Sequence, residues 1–299
     1  MVQSTKSGVV VGIDSSTYSE HALDWAATEA ALRGVALRIA HSWDLGPYRM
    51  PDQDRGDIAR SAGDAAAELL RSAQEQTRKH HPDLQVDTTL LAEDAVPGLI
   101  RLAGQAELVV VGARGLSRFA SVLIGSVSQR LVAHAPCPVV VLRDAADTAG
   151  TAEPATAAVP APVLLAAGPG EAPEPIRFAF AEAARRNVPV LVVRAWQYPP
   201  NLGGYIPLPL DDLDQRDATE REELAQTIAD ARETFPQVPT VLEAGMHEPA
   251  GALVDASSRA CLLVVGAQRP RHRFAMPVGR VAQQVLHYAH CPVAVVPHP

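Results

Sequence analysis

Two stretches of this chain repeat each other in register over almost its whole length. Arg33-Gly34-Val35, running on to Trp43, is matched by Arg186-Asn187-Val188, running on to Trp196, and the two tryptophans lie 153 residues apart. Further along, Val109-Val110-Val111-Gly112-Ala113 is matched by Leu263-Val264-Val265-Gly266-Ala267, and Cys137-Pro138-Val139 by Cys291-Pro292-Val293, both at a separation of 154 residues. Solenoid repeats run to roughly 20–50 residues, so this period is too long for one. It describes a domain able to close its own core, written twice within 299 residues.

Between the copies, residues 144–162 read DAADTAGTAEPATAAVPAP. Ala, Thr and Pro without apolar periodicity cannot bury enough surface to offset the entropy of ordering, so an extended linker is expected there. The expected organisation is a first domain over residues 1–143, a linker over 144–162 and a second domain over 163–299.

In the first copy, Gly8 to Ile13 is a short continuous apolar run bounded by turn residues, as expected of a parallel strand buried on both faces. Ser15-Ser16-Thr17 offers N-cap chemistry. Ser19 to Arg33 then places Ala22, Trp25, Ala26, Glu29 and Ala30 at helical spacing until Gly34 ends the helix. Val35 to His41 reads as a second strand. A polar segment with Pro47 and Pro51 precedes a long amphipathic helix from Asp57 to Lys79. Strands over Val86–Leu91, Leu108–Val111 and Val139–Leu142 alternate with helices over Val96–Gln105 and from Gly125 to Ala133. This alternation implies βαβ crossovers, hence a parallel sheet covered on both faces. Ligands in such sheets bind beyond the carboxyl ends of the strands where strand order reverses, which directs attention to the residues after the first and fourth strands.

After the first strand comes Gly12-Ile13-Asp14-Ser15-Ser16. Asp14 has two readings here: an acceptor for a ribose hydroxyl or a metal-bound phosphate, or a simple helix cap. After the fourth strand comes Gly112-Ala113-Arg114-Gly115, then nine residues, then Gly125-Ser126 opening a helix. Glycines let backbone approach a phosphate and adopt positive φ, and a helix N-terminus adds amides and a favourable dipole. Arg114 and Arg118 read equally well as added charge or as solvated loop residues. No Gly-Lys-Ser/Thr sequence occurs, so a Walker A loop is absent, and GxxG does not meet the GxGxxG dinucleotide fingerprint.

Composition narrows the partners. A formal net charge of −8 opposes binding to a phosphate backbone, and an aromatic content of 4% leaves little for stacking single strands. No apolar run approaches the ~20 residues of a membrane span, and Met1 to Ser7 is polar with no signal core after it, so a cytoplasmic setting is expected. The three cysteines, Cys137, Cys261 and Cys291, show no metal or disulfide spacing and read as structural thiols. His80, His81, His287 and His290 lack carboxylates at ligand spacing and read as surface or helix-end residues. Trp25, Trp43 and Trp196 follow core periodicity and read as packing.

The pattern Gly-x2-Gly-x9-Gly-Ser after a buried strand resembles the ATP-binding loop of the universal stress protein family. The opening VVVGIDSSTYSEHALDWAATEA and the closing GSVSQRLVAHAPCPVVVLR resemble that family's first and last segments. The resemblance spans residues 8–143 and, more weakly, 163–297. It implies two tandem Rossmann-like, adenine-nucleotide-α-hydrolase-like domains, each a five-stranded parallel sheet in the order 3-2-1-4-5. It also implies ATP, with or without Mg2+, across the ends of strands one and four. The family's nucleotide contacts fall on Gly12, Ile13 and Asp14, on Gly112, Ala113, Arg114 and Gly115, and on Gly125, Ser126 and Val127, with Ser42 as a weaker match against adenine. Dimers through the fifth strands are implied too, either between two chains or between the two copies.

The second copy departs from this pattern. At an offset of 153 the place of Asp14 falls on Ala167, while Gly115 becomes Arg269 and Ser126 becomes Arg280; Gly112 and Gly125 persist as Gly266 and Gly279. Loss of ordinary ATP binding in that copy is the expectation, with phosphate held by Arg269 and Arg280 as the alternative. The Pro- and Tyr-bearing segment from Gln197 to Leu210 reads either as a cover for that copy or as a long surface loop. The expected function is ATP binding with a regulatory, stress-response role. Hydrolysis is expected to be weak or absent, because no Lys or Arg finger pair and no water-positioning base beyond Asp14 is evident. An ATP-cleaving enzyme and a nucleotide-independent interaction module remain the alternatives.

Overall fold

The computed structural model describes residues 8–43, 52–115, 124–143, 160–197, 210–269 and 278–299. Arg118, Pro47, Pro51, most of the linker and residues 198–209 of the Pro- and Tyr-bearing segment lie outside them. The chain divides into two compact units, Met1–Asp147 and Thr148–Pro299.

In the first unit the elements run β1 (Val9–Gly12), α1 (Thr17–Arg33), β2 (Leu37–Ser42), α2 (Asp52–His80), β3 (Val86–Leu91), α3 (Ala95–Ala103), β4 (Leu108–Gly112), α4 (Ser126–His134) and β5 (Val139–Leu142). All pairings are parallel and the order is β3-β2-β1-β4-β5, as the resemblance implies. β1 and β4 sit at the centre, where Val9, Val11, Val109 and Val110 are sealed from solvent. Each such side chain contributes roughly 1.5–3 kcal/mol by burial. Helix α1 lays Ala22, Leu23, Ala26, Ala27 and Ala30 on the sheet; small side chains there let helix and sheet approach closely. It stops at Gly34, whose φ of 66° returns its amide to the last carbonyls. Helix α2 begins five residues earlier than the periodicity places it, at Asp52 rather than Asp57. Its first turn is polar, so hydrophobic spacing carries no signal for it.

The second unit repeats the plan: β6 (Val163–Ala166), α5 (Pro173–Arg186), β7 (Val190–Trp196), α6 (Leu210–Thr227), α7 (Ala229–Thr234), β8 (Thr240–Met246), α8 (Pro249–Ser257), β9 (Leu262–Gln268), α9 (Arg280–Tyr288) and β10 (Val293–His298). The order β8-β7-β6-β9-β10 corresponds strand for strand to the first unit. The two copies also share a buried ion pair. Glu29 is 1% exposed and binds Arg33 on α1, and Glu182, fully buried, binds Arg185 and Arg186 on α5.

Pairing register fixes the correspondence between copies more finely than sequence does. Val9 pairs with Leu37 and Leu108, and Val163 pairs with Val190 and Leu262. Ile13 and Ala167 likewise donate to matching carbonyls, Ala40 and Val193. The counterpart of Asp14 is therefore Gly168, and Ala167 corresponds to Ile13. The one-residue drift falls after the strand, in the turn into α5, and not before it.

Trp196 is buried while Trp25 and Trp43 are half-buried. Cys137 and Cys291 are buried, and burial, with Cys261 beside it, pushes the Cys291 thiol up to about 12. No helix among the described residues is long and apolar enough to cross a membrane.

Candidate functional site

Strand order in the first unit reverses between β1 and β4, and a cavity of about 290 Å3 opens at that point. Nine of the ten residues singled out in the sequence line it: Gly12, Ile13, Asp14, Gly112, Arg114, Gly115, Gly125, Ser126 and Val127. Ala113 instead contributes its backbone, donating to the Leu142 carbonyl and accepting from the Gly125 amide, each at 2.6 Å. That second bond closes the loop, because it fastens the start of α4 to the end of β4.

Asp14 does not choose between its two sequence readings. Its Oδ1 accepts from the Ser16 amide at 2.9 Å, the Ser16 hydroxyl at 2.5 Å and the Ser19 hydroxyl at 2.6 Å, which organises the entry to α1. Its Oδ2 faces Gly115, where any Cβ would collide with it. Ser16 stands at the N-cap position, but its hydroxyl serves Asp14 and makes no cap bond.

The glycines are required for close approach and not for unusual dihedrals. Among the described residues, positive φ occurs at Gly8, Gly34, Gly170 and Asn187, none of them in the loop. At Gly112 a Cβ would meet the Tyr18 Cβ at 2.8 Å and Tyr18 backbone at 3.0 Å, and at Gly115 it would strike Asp14. The positive-φ argument for Gly115 is thereby replaced by a steric one. Arg114 is held over Tyr18, with its guanidinium 5.6 Å from the ring centre and Nη1 donating to the phenol oxygen at 3.0 Å.

Helix α4 opens at Gly125 with no side-chain cap on its first amides. Ser128, one residue beyond the predicted set, is buried and donates to the Gly112 carbonyl at 2.8 Å. First-turn amides, the Ser126 hydroxyl and the helix dipole therefore converge on the cavity, an arrangement suited to an anion.

Opposite the loop, the wall is apolar. Ala40, Leu91, Ala95 and Leu99 form it, and His41 and Ser42 border it. Ser42 lines the cavity with its hydroxyl donated to the Glu93 carbonyl at 2.5 Å. His41 was not picked out from sequence, and its ring Nδ1 lies 2.8 Å from the Ile13 carbonyl. A carbonyl only accepts, so Nδ1 carries the proton. The signal for His41 was its place at the carboxyl end of a strand; Leu91, Ala95 and Leu99 gave none, since their sequence context is that of ordinary core.

In the second unit the corresponding region is built otherwise. β9 and β10 stay paired through Ala267–Pro297 and Gln268–His298, whereas β4 ends at Gly112 and β5 at Leu142. Residues that leave the sheet to form the loop in one copy are ladder residues in the other. Gly279 has open space around its α-carbon, whereas Gly125 is packed against the loop backbone. Arg269 and Arg280 are exposed. Glu171 accepts the Gly168 amide at 3.0 Å and lies beside Gly266, with His298 Nε2 3.2 Å from where a Gly266 Cβ would stand. Burial pushes the Glu171 carboxyl up, and the Gly168 and Ala172 amides, His298 and Arg194 pull against that. Arg194, 2% exposed, takes the place of His41 and donates to the Ala167 and Gly168 carbonyls at 3.3 and 3.2 Å. No group of three or more His, Cys, Asp or Glu among the described residues is arranged to hold a metal ion.

Comparison with known proteins agrees with this architecture. A model of the universal stress protein family matches residues 8–143 and 161–297. A universal stress protein of Mycobacterium tuberculosis is 33% identical over 302 residues, covering 96% of each chain. One from Mycolicibacterium smegmatis is 31% identical over 306 residues, covering 99% of each. A crystal structure of a universal stress protein from Archaeoglobus fulgidus superposes with a TM-score of 0.69 at 15% identity, over 99% of this chain and 100% of that one, a likeness of fold. With two family segments, and relatives matched end to end, the chain belongs to the universal stress protein family.

Proposed function

We propose that the first unit binds an adenine nucleotide, ATP with or without Mg2+, and that the chain acts as a regulatory stress protein rather than as an enzyme. The observation that carries the reading is convergence. Asp14 just past β1, the glycine loop after β4 and the uncapped start of α4 border one cavity with an apolar wall on its far side. Phosphates lie against Gly115, Gly125, Ser126 and Val127, where amides and dipole favour them. The base lies along Ala40, Leu91 and Leu99, and Asp14 serves the ribose or a phosphate-bound cation. Turnover is weak or absent because the one arginine among the described residues of the cavity, Arg114, is paired with Tyr18. The second unit holds no nucleotide in this way, since Gly168 has no side-chain acceptor and Ala267 and Gln268, which follow Gly266, stay paired in the sheet. A cytoplasmic setting and pairing through β5 or β10 belong to the same reading.

The test is to denature the purified chain and identify what it releases by mass spectrometry, then titrate ATP into stripped protein. Intact ATP at about one per chain supports the reading. Release of ADP with steady turnover points to an enzyme, and no release and no binding leaves an interaction module.

A further inference from the structure

The cavity reading leaves one buried polar group without a role. Ser19, on the first turn of α1, lines the cavity and is 6% exposed; its hydroxyl accepts the Asp14 amide at 2.7 Å, donates to Asp14 Oδ1 at 2.6 Å and lies 3.5 Å from the Ser16 hydroxyl. The two bonds with Asp14 do separable things. Accepting the amide satisfies a buried strand-end N–H, which any acceptor could do. Donating to Oδ1 fixes the side chain of Asp14.

The second unit shows the two separated. Counting back from Arg33 and Arg186, Ser19 corresponds to Ala172, and Asp14 has become Gly168. The strand-end amide persists there and is taken by Glu171 Oε2. The structural half of Ser19's work thus survives in a chain segment that lacks both Ser19 and Asp14. What has no counterpart is the donation to a carboxylate. The hydroxyl and the carboxylate are present together in one copy and missing together in the other.

The geometry in the first unit says what that donation accomplishes. With Oδ1 bound by Ser19 and by both donors of Ser16, the carboxylate plane is set, and Oδ2 is turned to Gly115 at the cradle. Ser16 lies next to Asp14 in a local turn and could follow another rotamer. Ser19 is anchored on α1, so it ties Asp14 to a rigid element. We infer that Ser19 is a positioning residue of the nucleotide site: it holds the Asp14 carboxylate aimed at the glycine loop, and acts on ligand through Asp14. This rests on the nucleotide reading of the first unit.

The experiment is a double-mutant cycle on the full chain, with ATP affinity measured by calorimetry and thermal unfolding recorded for every variant. Ser19→Ala is expected to weaken ATP binding about tenfold, as loss of a hydrogen bond to a charged group does. The same substitution made in an Asp14→Ala background is expected to cost nothing further, and Ser19→Thr, which keeps the hydroxyl, to restore most of the affinity. An equal loss in both backgrounds, or wild-type affinity in Ser19→Ala, overturns the inference. Should Ser19→Ala unfold, Asp14→Asn with Ser19 intact gives the second reading: an amide keeps the volume but loses the charge-assisted bond, and affinity as high as wild type overturns the inference too. Failure of wild-type protein to bind ATP sinks the nucleotide reading itself and is told apart by that measurement alone.

Discussion

The two units share one plan of strands and helices and part company at the end of the strand that each centres on. In the first, Asp14 stands two residues past the end of β1, and a glycine stands across from it because nothing larger fits against the carboxylate. In the second, the acid is Gly168 and the facing glycine is Arg269. The exchange is coupled: removing the carboxylate removes the steric reason for glycine. The polar groups left behind are then satisfied internally, the Gly168 amide by Glu171 and its carbonyl by Arg194. The first strand end opens on a cavity with an acid at its edge, whereas the second is closed with its own charges.

The sharpest way to break this comparison is to impose one unit's chemistry on the other. Gly115→Arg drives a side chain into the Asp14 carboxylate and is expected to lower ATP affinity more than about 100-fold, or past detection by calorimetry. Arg269→Gly in the second unit is expected to leave ATP affinity unchanged, and a gain of a second ATP per chain there contradicts the asymmetry. The coupling has its own test. Gly115→Ala in an Asp14→Gly background should cost far less in thermal stability than Gly115→Ala alone, and strict additivity of the two refutes the steric account.

Next in size is Asp14→Ala, with an expected loss of roughly 10- to 100-fold in ATP affinity, as for truncating a charged hydrogen-bonding group. Unchanged affinity removes Asp14 from the site. Smaller again is Glu171→Ala, which leaves the Gly168 amide without its acceptor. The expected cost is about 1–3 kcal/mol of stability, seen as a drop of a few degrees in Tm, with ATP affinity untouched. An effect on ATP binding of the same size shows that the second unit takes part in it.

The smallest effect is one of pH. The Glu171 carboxyl is raised by burial, so between the ordinary glutamate value and its raised one the folded state holds more protons than the unfolded. Stability therefore falls as pH rises through that window, and Glu171→Gln should flatten the slope. Urea unfolding of both proteins from pH 4 to 7 checks the sign; a steeper slope in the glutamine variant contradicts it.

Much of the fold was legible because it is written in continuous apolar runs. β3 and β5 fall on the predicted residues, and Gly34 ends α1 with the left-handed backbone that glycine permits. The first turn of α2 was not legible, since a polar helix start leaves no periodicity. The cavity was legible on its glycine-loop side, where glycine spacing carries the signal, and silent on the wall formed by Leu91, Ala95 and Leu99. Those residues come from β3 and α3, far along the chain, and each reads locally as core. The match of Asp14 to Ala167 failed for a related reason. An offset counted along the chain cannot place a one-residue deletion within a turn, but hydrogen-bond register can.

By itself the sequence determined that one α/β domain was written twice, and that the acid and two of the loop's small residues were replaced in the second copy. Apolar periodicity and residue identity are local properties, and they are read without knowing what touches what. Only the tertiary structure decided why Gly115 is glycine, why Ser19 accompanies Asp14, and how Glu171 takes over the amide that their loss exposes. Those are contacts between a strand end, a loop about a hundred residues away and the first turn of a helix. The contact between Asp14 and Gly115 exists only once the sheet brings the two strand ends together, and the bonds of Ser19 and Glu171, though local, depend on how each turn leaves its strand.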